Sequence, residues 1–282
     1  MTDLGAGSSF GARLDAALTA RGSLCVGIDP HPGLLTAWGL PVDVSGLERF
    51  ALTVVSALAG EVAALKPQSA FFERFGSAGI AVLERTVAAG RELGALVVLD
   101  VKRGDIGSTM DAYAAAYLGP AAAVAADAIT VSPYLGVGAL NPAFAAASAG
   151  GQGVFVLART SNPEGVPLQQ ARLADGRAVA QAVVDEVGAR NAGAAPLGSF
   201  GVVVGATIGA SGLDLAGLNG PFLVPGVGAQ GGTADDVRRI FGGARRAVLP
   251  ATSREVLGRG PDVTALRGAA RRKVEEFAFL RA

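Results

Sequence analysis

Eight short apolar runs, rich in valine, leucine and isoleucine, alternate along the chain with longer segments whose apolar residues recur at helical spacing. Runs that are apolar almost throughout are typical of parallel strands buried on both faces, whereas a period of three to four residues is typical of amphipathic helices. We predict strands at 24–28, 62–65, 96–102, 128–132, 154–158, 201–204, 222–224 and 247–249. We predict helices at 9–21, 47–58, 79–93, 108–118, 140–149, 178–191, 234–241 and 262–280, with a further short helical segment at 211–218.

The alternation of strands and helices indicates the fold class. It predicts an α/β fold with a parallel sheet, and eight such units in 282 residues favour a (β/α)8 TIM barrel over an open sheet. We expect one domain over residues 1–282, with the first helix as an addition before the first strand. The longest irregular segment, 160–175, is the candidate for a mobile loop over a site.

Composition narrows the classes of function. Hydrophobic residues make up 50% of the chain and 24 basic residues balance 24 acidic ones, which gives no electrostatic case for nucleic acid or an anionic membrane as a partner. The first residues lack the basic and apolar regions of a secretory signal, and a lone cysteine suits a reducing, cytoplasmic compartment. With one histidine and one cysteine, we expect no zinc or other soft-metal site.

Charged residues follow the first three predicted strands in an order of alternating sign. Asp29 ends the first, Lys66 ends the second, and the third carries Asp100 and Lys102, with Asp105 on the loop beyond. Residues two apart on a strand share a face, so Asp100 and Lys102 should point the same way. A surface salt bridge is the alternative for such a pattern. Strand ends meet at one mouth of a barrel, however, and these charges together indicate a site there.

A second group of polar residues follows the seventh and eighth strands. Glycines in the 225–232 loop leave backbone N–H groups able to approach an anion, and Thr233 begins a helix whose N-terminus favours negative charge. Arg254 can bind phosphate oxygens in a bidentate manner. The alternative is a tight turn beside a surface arginine. Within a barrel we predict a phosphate site, formed by Gly226, Gly228, Gly231, Ser253, Gln230 and Arg254.

Two isolated residues receive structural interpretations. His31 lies between two prolines and is taken as a loop histidine with local hydrogen bonds. Cys25 falls inside an apolar strand and is taken as a small core residue.

The third strand and its loop, V-V-L-D-V-K-R-G-D-I-G-S-T at 97–109, resemble the signature of the orotidine 5′-phosphate decarboxylases, in their longer bacterial subgroup. That signature is D-x-K-x-x-D-I followed, two residues on, by T. The resemblance extends over nearly the whole predicted barrel. It implies decarboxylation of orotidine 5′-monophosphate to UMP and CO2, the last step of de novo pyrimidine biosynthesis, without a cofactor. It also implies a homodimer in which Asp105 enters the partner's site.

The resemblance also implies a role for each residue that matches. Lys102 would protonate C6 of the pyrimidine, with Asp100 beside it and Lys66 bridging Asp100 and the ribose. Asp29 and the Asp105 of a second copy would bind the ribose. The remaining matches are substrate-binding residues: Ile106 and Thr109 beside Asp105, Ser161 at the pyrimidine, and Gln230 and Arg254 at the phosphate. Thr160 or Asn162 could share the role of Ser161.

Three other functions remain as alternatives. The nearest is a metal-dependent sugar-phosphate decarboxylase or related lyase of the same superfamily, in which a carboxylate at the end of the second strand helps hold magnesium; here that position is Lys66. A Schiff-base aldolase is disfavoured because a lysine between aspartates stays protonated and is a poor nucleophile. A non-catalytic phosphate-binding barrel would bind UMP without turnover.

Overall fold

The structure is a computed structural model that describes residues 8–209, 212–244 and 247–281. Eight parallel strands pair in chain order, and the first pairs with the last, so the sheet closes into a barrel. The strands are β1 Cys25–Ile28, β2 Ala64–Pro67, β3 Leu96–Arg103, β4 Ala128–Val131, β5 Gly153–Arg159, β6 Phe200–Val204, β7 Phe222–Pro225 and β8 Val248–Thr252. The predicted (β/α)8 barrel is confirmed.

Helices lie between the strands and form the outer layer. They are α1 Phe10–Arg21, α2 Pro32–Ala37, α3 Val44–Leu58, α4 Ala70–Glu73, α5 Gly76–Glu92, α6 Gly107–Tyr117, α7 Asn141–Gly150, α8 Val166–Gln169, α9 Val179–Arg190, α10 Ala234–Phe241, α11 Arg254–Leu257 and α12 Val263–Glu276. Their buried faces and the outward side chains of the strands form one apolar cluster. None of the helices in the described residues is long and apolar enough to cross a membrane.

The added N-terminal helix closes one end of the barrel. Phe10, Leu14 and Leu18 of α1 are fully buried and belong to the same apolar cluster as the inward side chains of the strands. The ring of Phe10 meets the ring of Phe155 edge to face, with centroids 5.9 Å apart. Since α1 covers the N-terminal end, the open mouth of the barrel is the C-terminal one, where βα loops place functional groups.

Several predicted boundaries differ from those in the structure. Strand β2 was expected at 62–65 but runs from Ala64 to Pro67, paired with β1 through Lys66, so Lys66 lies within the strand. The final helix ends at Glu276, and a 3-10 turn at Ala278–Leu280 follows it. The 160–175 segment contains helix α8 and a 3-10 turn at Pro163–Gly165, so it is not wholly irregular.

The short helix expected at 211–218 is reduced to one 3-10 turn. That turn covers Ala216–Leu218, and residues 212–215 are not helical. Residues 210 and 211 lie outside the described residues.

Candidate active site

A buried ion pair lies at the centre of the barrel mouth. Nζ of Lys66 donates to Oδ2 of Asp100 at 2.9 Å, and these side chains are only 8% and 9% exposed. Burial alone would raise the pKa of Asp100, but the charges of Lys66 and Lys102 outweigh it and hold that pKa well below its usual range. Burial alone would lower the pKa of Lys66, but the charges of Asp100 and Asp29 outweigh it and raise that pKa. Both groups are therefore charged at neutral pH.

Lys102 lies on the solvent side of this pair. Its Nζ donates to Oδ1 of Asp100 at 2.6 Å, and 44% of the side chain is exposed. The prediction that Asp100 and Lys102 face the same site agrees with this contact, but simple alternation does not explain it. The β3–β4 register shifts between Leu99 and Arg103, and Lys102 has a φ of +48°, in the left-handed region. A bulge thus sets the direction of the Lys102 side chain.

Arg103, the residue after Lys102, has its side chain held by contacts with residues of other elements. Nη2 of Arg103 donates to Oε1 of Glu73 at 2.6 Å, and its guanidinium lies 5.6 Å from the ring centroid of Tyr113. Arg103 is therefore anchored outside the barrel mouth while Lys102 faces it.

A cavity of about 480 Å³ opens above these charges. Nine of the predicted site residues line it: Asp29, Lys66, Asp100, Lys102, Ser161, Gly226, Gln230, Ser253 and Arg254. Thr160 and Asn162, named as alternatives to Ser161, line it as well. The structure therefore brings the charges of the first three strands and the polar groups of the last two to one concave surface, which is large enough for a small ligand.

The five other predicted site residues do not line the cavity. Asp105 and Ile106 lie in the loop after β3, and Thr109 lies in the first turn of α6; Ile106 and Thr109 are exposed. Oδ1 of Asp105 accepts the N–H of Ile106 at 2.8 Å. Gly228 and Gly231 lie in the 225–232 loop but do not line the cavity, and Gly231 is exposed. Within one copy of the chain, these residues do not reach the cavity.

The loop after β7 requires glycine, and two of its amides form hydrogen bonds within the loop. Gly226, Gly228 and Gly231 have φ values of +96°, +80° and +89°, a conformation that favours glycine. The N–H of Gly228 donates to the carbonyl of Gly232 at 2.9 Å, and that of Gly231 to the carbonyl of Gly228 at 2.6 Å. These two amides close turns within the loop, which corrects the expectation that they face an anion.

The N-terminus of α10 is also occupied. Thr233 and Asp236 form a capping box: the Asp236 N–H donates to Oγ1 of Thr233 at 3.1 Å, and the Thr233 N–H donates to Oδ2 of Asp236 at 3.0 Å. Thr233 caps the helix as predicted. Because Asp236 already supplies the negative charge at this helix terminus, the remaining candidates for the anion site are Arg254, Gln230 and Ser253.

Three buried oxygen atoms around the cavity have no hydrogen-bond partner in the part of the chain that the structure describes. They are Oδ1 of Asp29, Oγ1 of Thr252 and Oγ of Ser253. A buried polar atom without a partner is costly, so such atoms at a cavity wall indicate contacts that a ligand completes.

Sequence reasoning missed several cavity residues. Thr130 and Thr252 are buried hydroxyl residues in strands β4 and β8, and Gln68 follows β2. His31 and Phe71 form an aromatic wall with ring centroids 4.2 Å apart. A polar residue at an inward position of an otherwise apolar strand, as in A-I-T-V, was the one available signal for Thr130. His31, interpreted from sequence as a loop histidine, thus lines the cavity.

The donor set bears on the metal-dependent alternative. Among the described residues, no group of three or more histidine, cysteine, aspartate and glutamate side chains is arranged to hold a metal ion. The cationic Nζ of Lys66 occupies the strand position where that alternative needs a carboxylate. Cys25 packs with the apolar side chains of the barrel interior, as expected, and burial raises the pKa of its thiol to about 12.

The fold and the cavity together define a class of protein: a (β/α)8 barrel with an Asp–Lys network at its C-terminal mouth and an arginine beside a glycine-rich loop. A family model described as orotidine 5′-phosphate decarboxylase / HUMPS family matches residues 22–269. The chain belongs to this family.

Relatives of known name agree over nearly full length. Orotidine 5′-phosphate decarboxylase of Salinispora arenicola is 67% identical over 264 residues, covering 94% of this chain and 95% of the relative. A crystal structure from Streptomyces avermitilis, assigned to the same decarboxylase, has a TM-score of 0.94 at 59% identity, covering 98% of this chain and 97% of that one. Leishmania donovani OMP decarboxylase has a TM-score of 0.76 at 32% identity, covering 97% and 98%.

Proposed function

We propose that this chain converts orotidine 5′-monophosphate to UMP and CO2 in pyrimidine biosynthesis, with no metal or cofactor, and that Lys102 donates the proton that replaces the carboxylate. The observation that carries the proposal is the contact of Lys102 Nζ with Oδ1 of Asp100 at 2.6 Å, at the wall of the cavity. When CO2 leaves, the electrons of the broken bond remain on C6. An ammonium group fixed beside C6 stabilises that charge and then donates a proton to form the C6–H bond.

Asp100 has two functions in this proposal. It holds Lys102 in place by accepting a hydrogen bond from its ammonium. The carboxylate also accepts a hydrogen bond from the ammonium of Lys66, and its position is therefore fixed. A substrate carboxylate bound against Lys102 would also lie near the carboxylate of Asp100. The repulsion between these two carboxylates would be relieved when CO2 departs. The lowered pKa of Asp100 keeps this carboxylate ionised through the reaction.

The rest of the cavity would bind the nucleotide. Asp29 and Lys66 would bind the ribose hydroxyls; the proposal is supported by Oδ1 of Asp29, which is buried at the cavity and has no hydrogen-bond partner among the described residues. Arg254, the first residue of α11, and Gln230, on the loop after β7, would hold the phosphate together with Ser253. Binding energy from the phosphate, remote from C6, can then contribute to the chemical step. Ser161 would contact the pyrimidine.

The exposed loops after β3 and β4 support a homodimer. They lie side by side, since the N–H of Ser132 donates to the carbonyl of Arg103 at 2.8 Å. Ile106, Tyr134 and Leu135 on these loops are 61%, 75% and 52% exposed. An apolar surface of this kind beside Asp105 suits a second copy of the chain. In that dimer Asp105, with Ile106 and Thr109, would complete the partner's site. We place the reaction in the cytoplasm, where a chain with one buried cysteine is suited to reducing conditions.

The test is the loss of the orotate absorbance when orotidine 5′-monophosphate is mixed with the purified protein in excess EDTA. We expect turnover in EDTA at the same rate as with added magnesium. Turnover only with magnesium would favour the metal-dependent alternative in spite of Lys66. Tight UMP binding with no turnover under either condition would favour a non-catalytic phosphate-binding barrel. Loss of activity on borohydride reduction with a ketone substrate would favour a Schiff-base aldolase.

A further inference from the structure

Thr130 is the one polar side chain in strand β4, and it connects the two groups that matter most in the proposed reaction. It is 1% exposed and lines the cavity. Its Oγ1 donates to Oδ1 of Asp100 at 2.8 Å and accepts the backbone N–H of Lys102 at 3.0 Å. One hydroxyl therefore contacts both the carboxylate of Asp100 and the backbone of Lys102.

The directions of these two hydrogen bonds are fixed by chemistry. A backbone N–H can only donate and an ionised carboxylate can only accept, so the hydroxyl proton of Thr130 must point to Asp100. Oδ1 of Asp100 thus accepts from Thr130 and from Nζ of Lys102, at 2.8 and 2.6 Å. Two donors on one oxygen atom restrict where that oxygen can lie, and hence where the ammonium of Lys102 can lie.

The second bond compensates for the bulge in β3. Lys102 has a φ of +48°, which is unfavourable for a residue with a Cβ, and the register with β4 shifts across it. A bulged residue loses its regular ladder partner. The hydroxyl of Thr130 accepts the hydrogen bond of the Lys102 N–H in place of that partner, so the strained conformation leaves no unpaired amide.

We propose that Thr130 is a positioning residue for decarboxylation, whose hydroxyl holds the backbone of Lys102 and the carboxylate of Asp100 at the separation that the proton transfer requires. The inference rests on the proposed function of Lys102. Thr130 does not itself transfer a proton in this account; it acts through the two residues it joins. Valine would fill nearly the same volume, so the requirement is for the hydroxyl.

The test compares Thr130→Val with Thr130→Ser. Valine keeps the shape and removes both hydrogen bonds, and serine keeps the hydroxyl. We expect kcat for orotidine 5′-monophosphate to fall about 10- to 100-fold in Thr130→Val, as for the loss of a buried hydrogen bond between groups that act in the transition state. UMP affinity should stay within about threefold of the wild type, because only transition-state geometry is lost. Thr130→Ser should recover most of kcat.

A matched control tests whether the loss of any buried threonine hydroxyl lowers kcat. Thr86 in α5 is also 1% exposed, but within the described residues its hydroxyl donates to the carbonyl of Val82 at 2.7 Å and does not line the cavity. Thr86→Val should leave kcat at the wild-type value. If Thr130→Val does not fold, the pair Thr130→Ser and Thr130→Ala, which differ by one hydroxyl, decides in the same way.

The outcomes separate this inference from the proposed function. If the wild type does not turn over, or if Lys102→Ala is as active as the wild type, the proposed function fails. If those two proteins behave as proposed but Thr130→Val has the kcat of the wild type, the inference about Thr130 alone is overturned. Equal losses in the serine and valine variants would overturn it as well, since the hydroxyl would then be irrelevant.

Discussion

Lys66 and Asp100 form an ion pair that is almost fully withdrawn from solvent, with 2.9 Å between Nζ and Oδ2. A buried pair is a weak stabiliser, because the cost of desolvating two charges offsets most of their attraction. Removal of one partner is far more costly, since it leaves the other charge buried and uncompensated. Stability and chemistry are thus coupled at this site.

Asp100→Asn should therefore lower the free energy of unfolding by about 3–5 kcal/mol, as measured by urea denaturation. Glu48→Gln is a matched control, because it removes one partner of the Arg85–Glu48 pair, whose side chains are 51% and 37% exposed. We expect its effect to be below about 1 kcal/mol. Equal effects of the two substitutions would mean that burial does not govern the Lys66–Asp100 pair.

The pH dependence of stability follows from the same pair. The pKa of Asp100 is lowered from 3.8, so its contribution is complete above that value and is lost as pH falls toward the folded pKa. The pKa of Lys66 is raised from 10.5, so its contribution is complete below that value and is lost as pH rises through the folded pKa. The pair should thus contribute a constant amount between about pH 5 and pH 9.

The measurement is urea unfolding over this pH range and below it, into acid, for the wild type and for Lys66→Met/Asp100→Leu, in which the pair is replaced by apolar side chains. The difference between the two free energies of unfolding should be flat from about pH 5 to pH 9 and should decrease in acid. A step in that difference near neutral pH would show that another titrating group controls the pair.

The proposed dimer predicts complementation between inactive variants. Lys102→Ala and Asp105→Ala should each be inactive alone, whereas a mixed dimer keeps one site with both residues. After subunit exchange, about a quarter of the wild-type activity should return, since half of the dimers are mixed and each has one intact site. Exchange confirmed by mass spectrometry with no recovery of activity would show that Asp105 does not act across the interface.

The helix that closes the barrel predicts a local packing effect. A Cβ added at Gly153 would lie 2.3 Å from Cδ1 of Phe10. Gly153→Ala should lower the free energy of unfolding by about 1–3 kcal/mol, because α1 must shift or the ring must leave its rotamer. Gly138→Ala is the control, since no atom of the described residues, apart from its chain neighbours and the backbone of its own turn, lies within 4 Å of its added Cβ.

A double-mutant cycle localises that effect. In a Phe10→Ala background, the cost of Gly153→Ala should fall close to zero, because the clashing ring is gone. An undiminished cost would mean that the substitution acts on the strand itself and not through α1.

The barrel could be predicted because its local signals agree. Apolar runs, helical spacing and strand-end charges all indicated the same eight-unit fold. Alternation predicted that Asp100 and Lys102 face one site, and they do so through a bulge in β3 and not through regular alternation. The helix before β1 was also predicted, but its function as the cover of the barrel was not. That function depends on Phe10 meeting Phe155 across the chain, and nothing in the local pattern at either residue indicates it.

What the sequence did not indicate depends on contacts between strands. The left-handed Lys102, the hydroxyl of Thr130 beneath it and the extension of β2 through Lys66 all result from pairing with neighbouring strands. The loop after β7 shows the opposite case. Its glycines were predicted to leave backbone N–H groups able to approach an anion, with a tight turn as the alternative. Whether an amide faces a ligand or closes a turn depends on hydrogen bonds that composition does not reveal.

The most direct test of the account is the turnover of orotidine 5′-monophosphate by Lys102→Ala at saturating substrate, measured beside its affinity for UMP. If Lys102 supplies the proton, kcat should fall by at least about 10³-fold while the protein still folds and binds UMP, because general-acid and electrostatic stabilisation are lost together. A kcat within about tenfold of the wild type would contradict the account, since removal of the proton donor should lower the rate by far more than that.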